Sequence, residues 1–470
     1  MQKRLGFLVP LGTMVATALA SVAAQSNSAG RAFPADAEVL AIIKQRVDEK
    51  RSAGIVVGLL ESNGTTRIIA YGDPGPGKLP LDGNSVFEIG SITKVFTSTA
   101  LAQMVLDGKV KLDDPVQQLL PATVKLPERS GFKITLGNLS TQTSGLPRMP
   151  NNFRPKDATN PYADYTEQQM YEFLSGYTLT RDPGALFEYS NLGVGLLGHA
   201  LSRADGKSYE QFQRDRIWVP LGMTRTAITL TLWMQEHLAL GHDANGGIAA
   251  NWDLPTFAGA GAIRSTASDM LKFVAAAANT ETGPLGKAMA FAQEPRAPMG
   301  GPLTRIGLNW ITRYTATDTI VWHNGGTGGY RTFAGVEPSR KIGVVVLTNS
   351  GGAGADDIGM HLLDSSIPLA PAPAPVKQRT AITVAPAILA RYVGTYQLAP
   401  GAIVEVTLSG DTLSAQLTGQ GRLRIWAESE VDFFYKEVDA QITFVYDARG
   451  TVTSLVIHQN GQNLTAPKTK

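Results

Sequence analysis

Ser91 and Lys94 lie three residues apart, at the start of a segment whose apolar residues have helical spacing. Positions i and i+3 share one face of a helix, so the lysine amine can reach the serine hydroxyl. A serine hydroxyl is a weak nucleophile without an adjacent base, and a lysine serves as that base only when burial and neighbours lower its pKa. The pair therefore predicts a nucleophile and its base, although Ser-x-x-Lys alone occurs by chance in many proteins of this length.

A second group of polar residues, Tyr189-Ser190-Asn191, follows a turn at Asp182-Pro183-Gly184 and precedes a helical run from Leu192 to Leu201. A tyrosine can transfer a proton, and an asparagine can orient a lysine or accept a hydrogen bond from a substrate amide. Taken alone, the tripeptide is explained more simply as a buried tyrosine followed by a helix N-cap.

A third group is the glycine-rich run His323-Asn324-Gly325-Gly326-Thr327-Gly328-Gly329-Tyr330. We expect it to come just before a strand, where glycines let the backbone approach a ligand closely. The simpler alternative is a glycine-rich turn with a histidine of no special role. A dinucleotide-binding loop is rejected because the run does not join a strand to a helix.

Composition restricts the kind of partner and cofactor. Lysine plus arginine number 42 and aspartate plus glutamate 40, with no basic run, which argues against nucleic acid or an anionic membrane as the main partner. Cysteine is absent, so disulfides and thiolate metal sites are excluded. His237 and His242 have no carboxylate at metal-ligand spacing, and His199 falls on a predicted core face. The composition and spacing predict neither a metal nor a cofactor.

The N-terminus has the parts of a secretory signal peptide. Lys3 and Arg4 precede an apolar stretch from Leu5 to about Ala20, and small residues follow up to Ala24. A membrane anchor is the alternative, but the stretch is shorter than the roughly 20 residues that a span needs. We therefore predict a signal peptide at 1–24, cleavage near Ala24, export to the periplasm or medium, and no membrane span in the mature chain.

Hydrophobic patterning predicts a large α+β domain at residues 25–365. A helical pattern covers 37–51, and β-rich runs pair as hairpins at 54–61 with 66–71 and at 332–336 with 341–348. Hairpins at both ends with helices between them indicate one antiparallel sheet that joins N- and C-terminal strands and is flanked by helices.

A proline- and alanine-rich stretch at 366–386 is predicted to be a linker. After it, residues 387–470 contain short β-rich runs separated by Gly, Asp and Asn, the spacing of a small β-barrel or sandwich. The runs are 392–398, 403–408, 412–416, 423–427, 442–446 and 451–457. The one histidine of this region, His458, is read as structural.

The three motifs, in this order and spacing, resemble those of the penicillin-recognising serine hydrolases, the group that contains class C β-lactamases, DD-peptidases and family VIII esterases. The resemblance covers roughly 35–365 and includes Thr143-Ser144-Gly145-Leu146 and Pro220-Leu221-Gly222-Met223. It implies a β-lactamase/transpeptidase-like fold. The C-terminal region is similar to the small β domain that follows this module in some relatives.

The resemblance also implies roles for the motif residues. Ser91 is acylated, Lys94 is its general base, and Tyr189 protonates the leaving group or shares the base role. Substrate-binding roles fall to Asn191, His323, Gly325 and Gly326. His323 stands where many relatives have a lysine that helps to bind a substrate carboxylate, and the backbone N–H groups of Ser91 and Gly326 form the oxyanion hole.

Departures from the class C pattern affect the expected substrate. Class C enzymes usually carry Ser or Ala before the lysine, Tyr-Ala-Asn and Lys-Thr-Gly, where this chain has Thr93, Ser190 and His323-Asn324. These residues are more similar to the peptidase and esterase branches. The leading hypothesis is hydrolysis of an amide, either a β-lactam ring or a D-alanyl peptide bond. The alternatives are a carboxylesterase for short acyl esters and a non-catalytic penicillin-binding protein.

Overall fold

The structure, a computed structural model, describes residues 32–281, 283–352, 354–372, 379–399, 402–418, 421–436, 440–459 and 462–469. The predicted signal peptide and residues 373–378 of the predicted linker lie outside this part of the chain. Two compact units divide between Pro371 and Ala372, inside the stretch that the sequence predicts to be a linker. The bounds of the signal peptide, linker and domains stay predictions.

The first unit is organised around an antiparallel sheet. Its strands are β1 (Gly54–Leu60), β2 (Thr66–Gly72), β3 (Val86–Glu88), β4 (Glu128–Arg129), β5 (Phe132–Lys133), β6 (Arg264–Thr266), β7 (Ala297–Pro298), β8 (Thr304–Ile306), β9 (Ile311–Tyr314), β10 (Thr319–Gly326), β11 (Arg331–Glu337) and β12 (Ile342–Thr348). Eight of them form the sheet in the order β2-β1-β12-β11-β10-β9-β8-β7. Two short pairs, β3 with β6 and β4 with β5, lie apart from it.

The centre of the sheet joins the two ends of this unit, as the hydrophobic patterning predicted. Strand β1 pairs with β12, and Ile55 lies opposite Thr348. Every residue of both strands is buried, which explains why their sequences are continuous apolar runs without alternation. The predicted α+β architecture is confirmed, and the sheet is larger than the two predicted hairpins.

Helices cover both faces of this sheet. The α-helices described in the first unit are α1 (Asp36–Asp48), α2 (Thr93–Leu106), α3 (Leu136–Ser140), α4 (Glu167–Gly176), α5 (Asn191–Ala204), α6 (Tyr209–Gln213), α7 (Leu232–Glu236), α8 (Ala258–Gly261), α9 (Ala267–Ala278), α10 (Gly283–Gln293) and α11 (Asp356–Leu363). None of the helices in the described ranges is both long and apolar enough to cross a membrane.

Alternate residues of β12 define the two layers of the core. Val345 and Leu347 belong to the larger core, which includes α9 and the helical region around α2 and α5. Val344 and Val346 belong to a smaller core on the other face, formed with α1 and α11. Helix α2, which carries Lys94, is therefore held in the middle of the larger core.

The second unit is a small antiparallel barrel. After α12 (Pro386–Leu389), its strands are β13 (Gly394–Ala399), β14 (Ala402–Ser409), β15 (Thr412–Leu417), β16 (Leu423–Ala427), β17 (Asp432–Phe434), β18 (Ala440–Tyr446), β19 (Val452–Gln459) and β20 (Gln462–Pro467). Consecutive strands pair, and a bridge between Tyr396 and Lys468 brings the first strand to the last. The predicted small β-barrel is confirmed.

Two barrel strands were missed in the sequence. Strand β17 has three residues, and β20 is largely polar, so neither gives a strong β pattern. Ladder hydrogen bonds to longer neighbours place them in the barrel.

Candidate active site

The segment before α2 places Ser91 beside Lys94. A single 3₁₀ turn at Gly90–Ile92 leads directly into α2, and Ser91 Oγ lies 2.9 Å from Lys94 Nζ. Gly90 has φ +52°, a conformation that favours glycine, and a Cβ there would lie 2.6 Å from the backbone N of Gly326. The turn therefore brings the serine close to the end of β10.

Lys94 is fully buried, and its amine is surrounded by neutral acceptors. Nζ donates to Asn191 Oδ1 at 2.9 Å and to the Ala260 carbonyl at 2.7 Å, and no carboxylate in the described ranges forms an ion pair with it. Burial, and then the positive charge of Arg148, hold the pKa of Lys94 well below its ordinary value. In its neutral form the amine has two hydrogens and one lone pair. With both hydrogens donated to these two acceptors, the lone pair of that form would face the Ser91 hydroxyl.

Tyr189 contacts both the serine and the lysine amine. Its ring centre is 4.8 Å from Lys94 Nζ and 5.1 Å from the guanidinium carbon of Arg148. Burial raises the pKa of Tyr189 to about 12, although a hydrogen bond with Ser91 and the charge of Arg148 act in the opposite direction. Tyr189 is therefore a protonated phenol at neutral pH, which suits a proton donor better than a base.

A loop after α3 fixes the segment that carries Tyr189 and Asn191. The Ser190 N–H donates to Gln142 Oε1 at 2.7 Å, and the Asn191 N–H donates to the Arg148 carbonyl at 3.1 Å. Ser190 is also the N-cap of α5, with its hydroxyl accepting from the Gly193 N–H at 2.8 Å. Ser190 is therefore the helix N-cap, while its neighbours Tyr189 and Asn191 line the cleft, so the N-cap interpretation and the catalytic interpretation of the tripeptide are compatible.

The glycine-rich run comes directly before a strand, as predicted, since β11 begins at Arg331. The first part of the run is itself strand: His323 to Gly326 are the last residues of β10, with Gly325 opposite Thr332 and Gly326 opposite Arg331. The ladder continues here because a glycine allows the segment before Ser91 to lie against the strand. A Cβ on Gly325 would be 1.9 Å from the Ile89 carbonyl oxygen.

This close approach gives a testable result. We expect Gly325→Ala to destabilise the protein by about 1–3 kcal/mol, the usual cost of overpacking, and to lower turnover because the Ile89–Ser91 segment must shift. Thermal unfolding and steady-state assays measure both effects. Gly176→Ala is the matched control, since a Cβ there meets nothing within 4 Å. If Gly325→Ala and Gly176→Ala had the same stability and the same turnover, the close approach of Gly325 to Ile89 would not be a structural requirement.

His323 does not occupy the position expected for a carboxylate ligand. Its side chain is 2% exposed, and Nδ1 lies 2.6 Å from the Asn324 carbonyl oxygen. Burial lowers the pKa of His323 to about 3, so the ring is neutral. The ring centre is 6.4 Å from that of Tyr189, which places His323 behind the tyrosine. A buried neutral imidazole offers no charge to a substrate carboxylate, and the substrate-binding role of His323 stays a prediction.

Ser91 opens onto a cleft of about 460 Å³. Its lining residues are Ser91, Arg148, Tyr162, Tyr189, Asn191, Trp252, Asn324, Gly325, Gly326, Thr327 and Arg331. The motif residues Ser91, Tyr189 and Asn191 and the glycines Gly325 and Gly326 therefore meet at one surface, with Lys94 beneath it.

Sequence reasoning missed six of these residues. Arg148 follows the motif Ser144-Gly145-Leu146 and Arg331 follows the glycine-rich run, so nearness to a motif was the available signal for both. Asn324 and Thr327 were inside the glycine-rich run but received no role. The aromatic residues Tyr162 and Trp252, whose ring centres are 5.3 Å apart, come from loops without a motif. No group of three or more histidine, aspartate or glutamate side chains in the described residues is arranged to hold a metal ion.

Comparison with known families gives a match to the Beta-lactamase family over residues 39–366. The chain belongs to this family. Residues 378–467 match a second model, described as a domain of unknown function, DUF3471. The family membership confirms the resemblance inferred from the three motifs.

Named relatives of this family member include peptidases and penicillin-binding proteins. The D-alanyl-D-alanine-carboxypeptidase/endopeptidase AmpH of Escherichia coli (strain K12) is 31% identical over 63% of this chain and 79% of its own length. Penicillin-binding protein 4* of Bacillus subtilis (strain 168) is 27% identical over 84% of this chain and 90% of its own length. The crystal structure of a β-lactamase/D-alanine carboxypeptidase from Yersinia pestis complexed with citrate has a TM-score of 0.60 and 28% identity, covering 67% of this chain and 92% of that one.

Proposed function

We propose that this chain is a serine hydrolase that forms an acyl-enzyme on Ser91 and cleaves an amide bond of the β-lactam or D-alanyl-peptide type. The observation that carries the proposal is the 2.9 Å distance between Ser91 Oγ and the buried amine of Lys94, which has no anionic partner in the described residues. The names of the relatives, a D-alanyl-D-alanine carboxypeptidase and a penicillin-binding protein, support this substrate class.

Acylation begins with the neutral Lys94. Its lone pair takes the Ser91 hydroxyl proton while Oγ bonds to the carbonyl carbon of the substrate. The carbonyl oxygen becomes an oxyanion, for which the backbone N–H groups of Ser91 and Gly326 are the donors in this proposal. The approach of Gly90 to Gly326 N supports it, since it brings the two segments that carry these groups together.

Collapse of the tetrahedral intermediate breaks the carbon–nitrogen bond. Tyr189, protonated because its pKa is raised to about 12, gives its proton to the leaving nitrogen. The proton that Lys94 accepted can then return to the phenolate, since Nζ lies 4.8 Å from the ring centre and Ser91 contacts both residues. Water hydrolyses the resulting ester and regenerates Ser91.

A substrate panel tests the reaction class. Nitrocefin, a peptide ending in D-Ala-D-Ala and p-nitrophenyl butyrate are assayed with purified protein, and Ser91→Ala supplies the background rate. We expect turnover of at least one of the two amides with a kcat/KM above that of the ester, because Tyr189 is placed to protonate an amine leaving group. Turnover of the ester alone would establish the carboxylesterase alternative.

Export of the protein from the cytoplasm is part of the same proposal. β-Lactams and D-alanyl peptides of the cell wall are met outside the cytoplasm, which agrees with the signal peptide predicted at 1–24. The proposed enzyme therefore acts in the periplasm or the medium after cleavage near Ala24.

A further inference from the structure

The charge of the cleft favours an anionic substrate. Of the described residues that line it, Arg148 and Arg331 are charged and none is acidic. Of the two other basic groups nearby, His323 is neutral because burial lowers its pKa to about 3, and burial also lowers the pKa of Lys94, which lies beneath the cleft. A cleft lined by charges of one sign attracts ligands of the other.

The two arginines differ in the number of protein groups that their guanidinium groups already contact. Arg331 Nη1 donates to the Thr327 carbonyl at 2.6 Å and to the Tyr330 carbonyl at 2.8 Å. Burial lowers the pKa of Arg331, and the charge of Asp356 acts in the opposite direction. Arg148 is exposed, and its guanidinium has no hydrogen-bond or ion-pair partner within the described ranges. The five N–H donors of Arg148 are therefore free to bind a ligand.

We propose that Arg148 binds the carboxylate of the substrate's leaving group, the role that the resemblance assigned to His323. The inference deepens the proposed function and rests on it. In a D-alanine leaving group, a single carbon separates the nitrogen that Tyr189 protonates from the carboxylate. A carboxylate in that position lies beside the Tyr189 ring, where the Arg148 guanidinium carbon is 5.1 Å from the ring centre. The planar guanidinium can hold both carboxylate oxygens at once.

This assignment makes the free carboxylate a determinant of specificity. A peptide that ends in D-Ala-D-Ala is expected to bind better than the same peptide with a C-terminal carboxamide. Because Arg148 is exposed, the preference should weaken as ionic strength rises. Arg331, held by two carbonyls, is expected to shape the end of β10 and to contribute less to the preference.

Binding without turnover tests the proposal. In the Ser91→Ala protein, calorimetric titration with the two peptides is expected to give at least about 10-fold tighter binding of the carboxylate form, in line with the strength of charge-assisted hydrogen bonds. Adding Arg148→Gln should reduce the ratio to about 2-fold or less, and Arg148→Lys should give an intermediate ratio. Arg154→Gln, an exposed arginine in the same loop, is the matched control and should leave the ratio unchanged.

Two outcomes would overturn the proposal. The first is no carboxylate preference in Ser91→Ala, and the second is a preference that survives Arg148→Gln, whether or not it is lost in Arg331→Gln. Thermal unfolding of each variant excludes a folding defect. The proposed function fails separately, since it requires the protein with Ser91 intact to hydrolyse its substrate. Hydrolysis without dependence on Arg148 would refute this inference alone, and carboxylate-selective binding without hydrolysis would refute only the proposed function.

Discussion

Ser91→Ala is expected to lower turnover of every substrate by about 10⁴-fold or more. Without Oγ no acyl-enzyme forms, and only the residual effects of binding and the oxyanion donors remain. The fold should be unaffected because the change removes one partly exposed oxygen at the surface of the cleft. Steady-state kinetics and thermal unfolding together separate loss of chemistry from loss of structure.

Thr99→Val is the matched control for Ser91→Ala. Thr99 lies on α2, the helix that follows the turn carrying Ser91. It is fully buried, and its hydroxyl donates to the Val95 carbonyl at 2.7 Å. The change removes a hydroxyl from α2 without touching the cleft, so turnover should stay within a few fold. Turnover of Ser91→Ala comparable with that of Thr99→Val would show that Ser91 is not the nucleophile.

Lys94→Met is the second change for which we expect a large effect. It keeps an unbranched side chain in the core but removes the base, so the rate of acylation should fall by about 10²–10⁴-fold, the usual contribution of a general base. Asn191 Oδ1 and the Ala260 carbonyl each lose a donor, while the cost of burying an amine disappears. Stopped-flow acylation measures the effect. Acylation at the wild-type rate would show that another group takes the serine proton.

The pH dependence follows from the same lysine. Its pKa is lowered, so the neutral amine that acts as the base is present above that lowered value and is lost as pH falls through it. We expect kcat/KM to fall on acidification. Arg148→Gln should move this acid limb to higher pH, because its charge helps to lower the pKa of Lys94. A flat profile between about pH 5 and 9 would contradict a lysine base.

Local periodicity was enough to place the proposed nucleophile beside its proposed base and to find the strands at the centre of the sheet. Ser91 and Lys94 meet because an i, i+3 spacing on a turn and helix brings their side chains together. β1 and β12 were recognisable as continuous apolar runs, the pattern of strands buried on both faces. Both predictions depend only on the spacing and type of residues close together in the sequence.

The substrate-facing part of the cleft depends on tertiary packing and was predicted less well. His323 and Asn324 are neighbours on β10, and strand alternation sends one side chain into the interior and the other to the cleft. The sequence does not say which face is which until the strand is paired with β11. Arg148 and Tyr162 come from loops whose paths have no periodic signal.

The central claim, an acyl-enzyme on Ser91, is tested most directly by mass spectrometry of the protein after brief incubation with a penicillin and an acid quench. Opening of a β-lactam ring transfers the whole antibiotic, so the account predicts a mass increase of one antibiotic molecule, located by peptide mapping on Ser91 and absent from Ser91→Ala. An adduct on another residue, or an adduct that persists in Ser91→Ala, would contradict it.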